Sequence, residues 1–361
     1  MKHFDYIIIG GGIAGLITAY LFKGKKTLLI DEKGILEGAS GAAGAFLFPK
    51  ISKKSSYTDF INSAILTAFK FYENLGIQTH KKGVLLLPRD EKDIEKFKEY
   101  EKYIKLPFEK RRDGFFFEDG GFIEVDEVRE KIKVPFLKEN ITVLKKEGEF
   151  WRVNDLLAKN VILATGYEEI IDIPYIKIRP VWGERIEISG EWEGNFEIFY
   201  HKNCSVAKVG KRLRIGATHK RNCLECMENE EEALELIQKA KEIIDIKSYK
   251  IEDIKGGFRA ASVDYFPVVG EIIDADKTLN IQPKIIKGEL PKHIEYKKGL
   301  YIINGMGGRG FSNAVLCAKM LKDYIENSSN LGKIDTKRLF VKWARKEGEK
   351  YLKLSEKGKK C

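Results

Sequence analysis

No stretch of the sequence holds the roughly 18 consecutive apolar residues that a membrane-crossing helix needs, so no membrane span is expected. Cysteine is scarce: five in 361 residues, Cys204, Cys223, Cys226, Cys317 and Cys361. An odd, sparse set argues against a secreted disulfide scaffold. Cys223-Leu224-Glu225-Cys226 has C-x-x-C spacing, with His219, Cys204 and His201 nearby in sequence. No second pair matches it, so metal binding stays open and none is expected. No internal repeat or low-complexity tract occurs. A signal peptide is not expected either, because Asp5 spoils the basic leading segment and three glycines follow the apolar run. The expectation is a cytoplasmic protein. Charge is unbalanced but not extreme, with 64 basic and 54 acidic side chains and a net +10. That balance suits a polyanionic partner. A lysine- and glutamate-rich surface of a heat-tolerant protein produces the same count.

What the sequence does hold is organised around Gly10-Gly11-Gly12-Ile13-Ala14-Gly15. Phe4–Ile9 before it reads as a strand, Leu16–Phe22 after it as a helix, and Thr27–Ile30 as a second strand ending at Asp31. Gly10, Gly12 and Gly15 fit G-x-G-x-x-G with an acid about twenty residues past the first glycine, the pattern of a dinucleotide site. Gly10 makes the turn, Gly12 lets backbone approach a pyrophosphate, and Gly15 lets helix and strand pack closely. The helix start offers free N–H groups and a positive dipole end to phosphate. Asp31 accepts from a ribose diol and repels a 2′-phosphate, which argues against NADP. An ordinary βα turn is the competing reading.

Further along, Gly38–Ala45 is a loop of small residues suited to lie against a flat or charged ligand. Residues 57–75 carry apolar side chains at helical spacing, Gly83–Leu87 reads as a strand closed by Pro88, and 90–105 as a charged helix. Lys110–Gly114 reads as an exposed turn. Strands are expected at Ile141–Leu144, Phe150–Val153 and Asn160–Gly166, the last placing Ala164-Thr165-Gly166 beside a cofactor. Residues 179–220 read as an antiparallel sheet, with strands Trp182–Ile188, Phe196–Tyr200 and Arg212–Thr218. A helix spans 228–245 with an acidic start. Gly256–Ala261 and Asp264–Gly270 form compact segments. A last strand Leu300–Gly305 leads through Gly307-Gly308-Arg309-Gly310-Phe311 into a helix from Ser312 to about Glu326.

These residues carry a family resemblance. The Gly10–Gly15 fingerprint, the Ser40–Gly44 loop, Val161–Gly166, Arg179-Pro180 with Gly183, Gly216-Ala217-Thr218, Phe258–Gly270 and Gly305–Phe311 occur in the order seen in the FAD-dependent amine and D-amino acid oxidase superfamily, which includes glycine oxidase. Gly38-Ala39-Ser40-Gly41, Phe258-Arg259 with Asp264 and Pro267, Gly307–Gly310 and the tail from Ile334 look most similar to one branch. That branch is the oxidase module of the bifunctional enzyme completing 5-methylaminomethyl-2-thiouridine at the tRNA wobble position. The methyltransferase module has no counterpart in this sequence, so a stand-alone oxidase is expected, with tRNA as partner and a separate methyltransferase acting downstream.

The resemblance implies an α/β fold, α+β overall: a doubly wound FAD-binding Rossmann-type lobe (1–82, 140–178 and 299–330) and an antiparallel-sheet substrate lobe (83–139 and 179–298), followed by a basic tail (331–361). FAD would lie against Gly10, Gly12, Ile13, Ala14, Gly15, Asp31, Glu32, Ser40, Gly41, Ala43, Gly44, Val143, Ala164, Thr165, Gly166, Gly307, Gly308, Arg309, Gly310 and Phe311. The substrate implied is an N-substituted glycine, from which oxidation and hydrolysis release glyoxylate. A small-molecule glycine, sarcosine or D-amino acid oxidase is the alternative. A planar guanidinium suits the carboxylate that must be anchored. Arg259 is the first choice, Arg309 the second, and His219 lies where the family places a pocket residue. No essential general base is evident. Basic residues gather at Lys50–Lys54, Lys208–Arg221 and Lys333–Lys360, and the tail is expected to lie near the pocket and hold RNA phosphates.

Overall fold

The computed structural model describes residues 1–194 and 196–358, and the side chains of residues 354–358 are left undescribed; Cys361 and the end of the basic tail fall outside it. Strand β1 (Lys2–Ile9) carries three consecutive isoleucines, apolar toward both faces, as a strand covered on both sides requires. It pairs in parallel with Leu156–Leu163 on one side and with β2 (Thr27–Asp31) on the other. Helix α1 (Ile13–Leu21) makes the crossover. Phe136–Lys138 extends the sheet beyond β2, Tyr296–Asn304 extends it beyond Leu156–Leu163, and Val268–Ile273 closes that edge antiparallel. Alternation along β1 separates two cores. Ile8 faces α1 and the helices Ser56–Asn74 and Gly310–Asn327, while Ile7 and Ile9 share a cluster with Leu339, Phe340 and Trp343.

The second sheet is dominated by two long strands, Ile178–Glu193 and Asp245–Ser262, paired antiparallel along their length. Arg212–Gly216, Ser205–Val209 and Phe199–His201 follow, then Val84–Leu86, Gly114–Phe117 and Glu109–Arg111. Helix Glu230–Lys241 covers one face; Asn229 caps it by accepting from the Glu232 N–H, and three glutamates meet the dipole in its first turn.

Several expectations are corrected here. Phe136–Lys138 and Val268–Ile273 belong to the nucleotide-side sheet, although their segments read as substrate lobe. Residues 141–143 are not a strand, because Asn154 Oδ1 accepts from the Thr142 and Val143 N–H groups and the ladder begins only at Leu144. Lys110–Gly114 does hold the expected exposed turn, at Arg112 and Asp113, as the tip of a hairpin in which Arg111 lies 3.6 Å from the Phe116 ring centroid. The basic tail, expected near the pocket and helical as read from sequence, forms the helix Lys337–Gly358, and its Phe340 and Trp343 are buried in the second core. Among the described residues no helix is long and apolar enough to cross a membrane.

Candidate active site

A cavity of about 550 Å³ is lined by residues of both sheets. At one end the β1–α1 turn makes its floor. Gly10 adopts φ +113°, and a Cβ there would stand 2.3 Å from Ala164 O. A Cβ on Gly15 would stand 1.9 Å from Gly10 O, so that glycine serves helix–strand packing and does not line the cavity. Helix α1 begins at N-cap Gly12 with no side-chain cap. Its first-turn N–H groups therefore keep the capacity for an anion; of these, the Ile13 N–H donates to Ser40 Oγ at 3.0 Å.

The acid after β2 behaves differently from expectation. Asp31 lines the cavity, but its oxygens accept from the backbone N–H groups of Gly11, Lys33 and Gly34 at 2.7–2.8 Å. It braces the loop, and the neighbouring Glu32, 3.6 Å from Lys33 Nζ, is exposed at the same wall. Ser40, Ala43 and Gly44 line the cavity as expected, as do Ala14, Ala164, Thr165 and Gly166. Gly41 does not; a Cβ there would meet Leu36 O at 2.2 Å, so it shapes the loop. Val143 is also absent from the wall, which is formed instead by Glu139, Asn140 and Ile141.

The other end is built by Gly307, Gly308, Arg309, Gly310 and Phe311, which open an 18-residue helix without a side-chain cap. Arg259 comes from the long strand Asp245–Ser262. Its Nη2 donates to Thr218 O at 3.1 Å and Nη1 lies 3.5 Å from His219 Nδ1. Thr218 is itself held, donating to Glu232 Oε2 and accepting from the Glu184 N–H, both at 2.9 Å. No carboxylate pairs with Arg259 among the described residues, and burial pushes its guanidinium down to about 10. His219 is exposed at the cavity mouth, with Arg221 Nε donating to its Nε2 at 3.4 Å. Burial first, then the charges of Arg259 and Arg221, hold it below its ordinary value.

Arg309 is held by a different segment, its Nη1 donating to Phe48 O at 2.8 Å. His201, missed in the sequence as a cavity residue, stacks 4.3 Å from Phe48 with Nδ1 3.0 Å from Ser205 Oγ, and burial pushes it down to about 3. The metal set weighed from sequence does not assemble. Cys223 and Cys226 are joined by a disulfide, Cys204 is buried elsewhere, and no three His, Cys, Asp or Glu converge among the described residues.

Comparison with known proteins places this geometry. The family described as FAD dependent oxidoreductase (DAO) matches residues 5–324. The tRNA 5-methylaminomethyl-2-thiouridine biosynthesis bifunctional protein MnmC of Leptospira interrogans is 24% identical over 88% of this chain and 57% of its own length. The chain thus spans little more than half of the curated relatives it matches. Among solved structures, glycine oxidase from Geobacillus kaustophilus superposes with a TM-score of 0.73 at 15% identity, over 93% of this chain and 99% of that one. L-proline dehydrogenase from P. horikoshii gives 0.74 at 15% identity, over 93% and 98%.

Proposed function

This chain belongs to the DAO family of FAD-dependent oxidoreductases, and we propose that it removes the carboxymethyl group from 5-carboxymethylaminomethyl-(2-thio)uridine at the tRNA wobble position. The observation that carries the reading is Arg259: a desolvated guanidinium at the cavity wall with no carboxylate of its own. The curated relative named above, the bifunctional protein MnmC, is matched along 88% of this chain and favours a tRNA-borne substrate over a free amino acid.

The residues present fit the cofactor. Gly10 and Gly12 leave backbone bare where a pyrophosphate would lie, Glu32 would take the ribose, and the uncapped helix start at Gly310 would face the flavin ring. FAD, when bound, supplies a two-electron acceptor. The chain's own part is positioning. Arg259 takes the substrate carboxylate with its planar fork, and Thr218 O fixes the orientation of that fork. The carbon between carboxylate and amine loses a hydride equivalent and the amine a proton. Water then adds to the resulting C=N bond and the C–N bond breaks, leaving glyoxylate and the aminomethyl uridine.

His219 is not the proton acceptor in this reading. Both ring nitrogens face guanidinium groups, so an added proton would be opposed, and the neutral ring accepts from one of the two arginines at a time. The product amine is then ready for a separate methyltransferase. Glyoxylate release from carboxymethylaminomethyl-modified tRNA and from free glycine, measured side by side, tests the proposal. Faster turnover of glycine or sarcosine, with the tRNA untouched, would assign the chain to small-molecule amine oxidation instead.

A further inference from the structure

Two cations stand beside the cavity without an acid to answer them. Arg309 lies 4.5 Å over the Phe48 ring, and Lys50, two residues along from Phe48, stands 5.9 Å over the ring of Tyr57. Neither forms an ion pair with a carboxylate among the described residues. Arg89, the next cation, is already held by Asp93, with Nε and Nη2 both donating to the carboxylate. Burial, then the charges of Arg309 and Arg89, hold Lys50 below its ordinary value, and burial pushes Arg309 down to about 10. Desolvating two neighbouring cations is costly unless an anion completes the group.

The same rim ends in an exposed ring. Tyr57 contacts Phe266 at 5.2 Å and Tyr265 at 6.4 Å between centroids. Tyr265 is 64% exposed and adopts φ +69°, a strained conformation for a bulky side chain. Its turn is clamped from the far side: Arg338 donates to both Asp264 oxygens at 2.9 and 3.0 Å and to Phe266 O at 2.9 Å. A rigidly presented, uncovered tyrosine beside a desolvated cation pair combines the two elements of single-strand nucleic-acid binding, a stacking face and a phosphate seat.

We propose that this rim is a nucleotide subsite, in which Lys50 and Arg309 hold an RNA phosphate and Tyr265 stacks an unpaired base adjoining the modified uridine. It rests on the tRNA reading above and adds where the RNA is gripped. Stacking tolerates any base, so the subsite selects an unpaired loop and not a sequence.

The experiment titrates the full-length, FAD-loaded protein with a fluorescein-labelled, unmodified seven-nucleotide anticodon-loop RNA at low salt. Lys50→Gln and Tyr265→Ala should each weaken binding by about 10-fold or more, and Tyr265→Phe should bind as the parent does. Lys50→Gln should also flatten the salt dependence by a slope of about 0.7, one phosphate contact on a single strand. Oxidation of free 5-carboxymethylaminomethyluridine, which has no phosphate, should proceed with unchanged kcat/KM in Lys50→Gln. Unchanged RNA binding in both variants overturns the subsite. So does failure of the RNA to bind together with loss of iminodiacetate turnover in Lys50→Gln, which would assign the cations to a second carboxylate of a small substrate. RNA binding that depends on Lys50 and Tyr265, without turnover of modified tRNA or nucleoside, upholds the subsite and removes the substrate reading.

Discussion

A Cβ built on Gly183 would stand 1.9 Å from Nη2 of Arg259, so the strand Ile178–Glu193 omits a side chain where the arginine passes. Gly183→Ala should therefore displace the guanidinium without disturbing the distant β1–α1 turn. The expected outcome is FAD content like the parent's and a kcat/KM for the carboxylate-bearing substrate reduced by about 10²-fold, since misplacement of about 1 Å is enough for that loss. Normal kinetics in this variant would show that Arg259 is not tightly placed by its strand.

Arg259 itself gives the more direct measurement. Arg259→Ala should retain FAD and lose roughly 10²-fold or more in kcat/KM, because a charge-assisted hydrogen bond contributes about 1.5–3 kcal/mol and a mispositioned carbon loses further rate. Arg259→Lys should recover only part, as an ammonium has no planar fork. Should the Ala variant keep parental kinetics, the carboxylate anchor is another residue.

Cofactor binding is separable from folding at Gly12. A Cβ there meets only Ser40 Oγ, at 3.4 Å, and aspartate is a good N-cap residue. Gly12→Asp should fold with an unchanged or slightly raised melting temperature in the stripped protein. Its carboxylate would occupy the phosphate position, so flavin absorbance per protein should fall about 10-fold or more, like charge opposing like. The parent should release FAD on denaturation, identified by mass; a nicotinamide nucleotide in its place would remove the redox assignment.

Acid should destabilise the fold through His201. Its folded value lies near 3 and its unfolded value near 6.5, so between them the unfolded state binds more protons. Stability therefore falls as pH drops from about 6.5 toward 3 and is flat above 6.5 for this group. His201→Gln should shrink that fall by an amount on the order of 5 kcal/mol at its fullest. Urea midpoints between pH 4 and 7, at fixed FAD, measure it; identical pH slopes in both proteins would mean that His201 charges freely when folded.

The C-terminal helix is a structural member. Trp343 is 8% exposed and packs its ring against Phe340 and Tyr351. Trp343→Ala should cost about 3–5 kcal/mol, and deletion of residues 333–361 should leave protein that does not fold to the FAD-bound state. A soluble, yellow truncation would contradict the packing described for this helix.

The nucleotide-side unit was legible from sequence because its signals are local. Gly10–Gly15 followed by a strand and an acid needs only short-range sterics and strand period, and the structure places Gly10, Gly12, Ile13 and Ala14 on the cavity wall. The same holds for Gly307–Phe311 at the start of a helix. Arg259 was legible only through resemblance. Its partner Thr218 O lies 41 residues away, and nothing in spacing announces that the strand Ile178–Glu193 has to spare a side chain at Gly183.

Elsewhere local reading stopped short where a side chain far along the chain decided. Val143 was expected at the cofactor, but Asn154 ties residues 142–143 into the hairpin and turns Glu139–Ile141 to the wall. The spacing of Cys223 and Cys226 left metal binding open from sequence; in the fold the two are joined to each other by a disulfide. The basic tail was expected near the pocket on the strength of its charges; the apolar few, Leu339, Phe340 and Trp343, are what the fold buries.

By itself, then, the sequence determined the strand–glycine turn–helix–strand unit of residues 4–31, which follows from periodicity and turn chemistry within some thirty residues, and through its resemblance it carried the family and the cofactor class. That Asp31 braces the loop, that Arg309 donates to Phe48 O, and the meeting of Lys50, Tyr57 and Tyr265 were decided by tertiary structure. Those relations join residues up to 261 apart, and they arise only when burial strips water from a charge and a particular neighbour is, or is not, there to replace it.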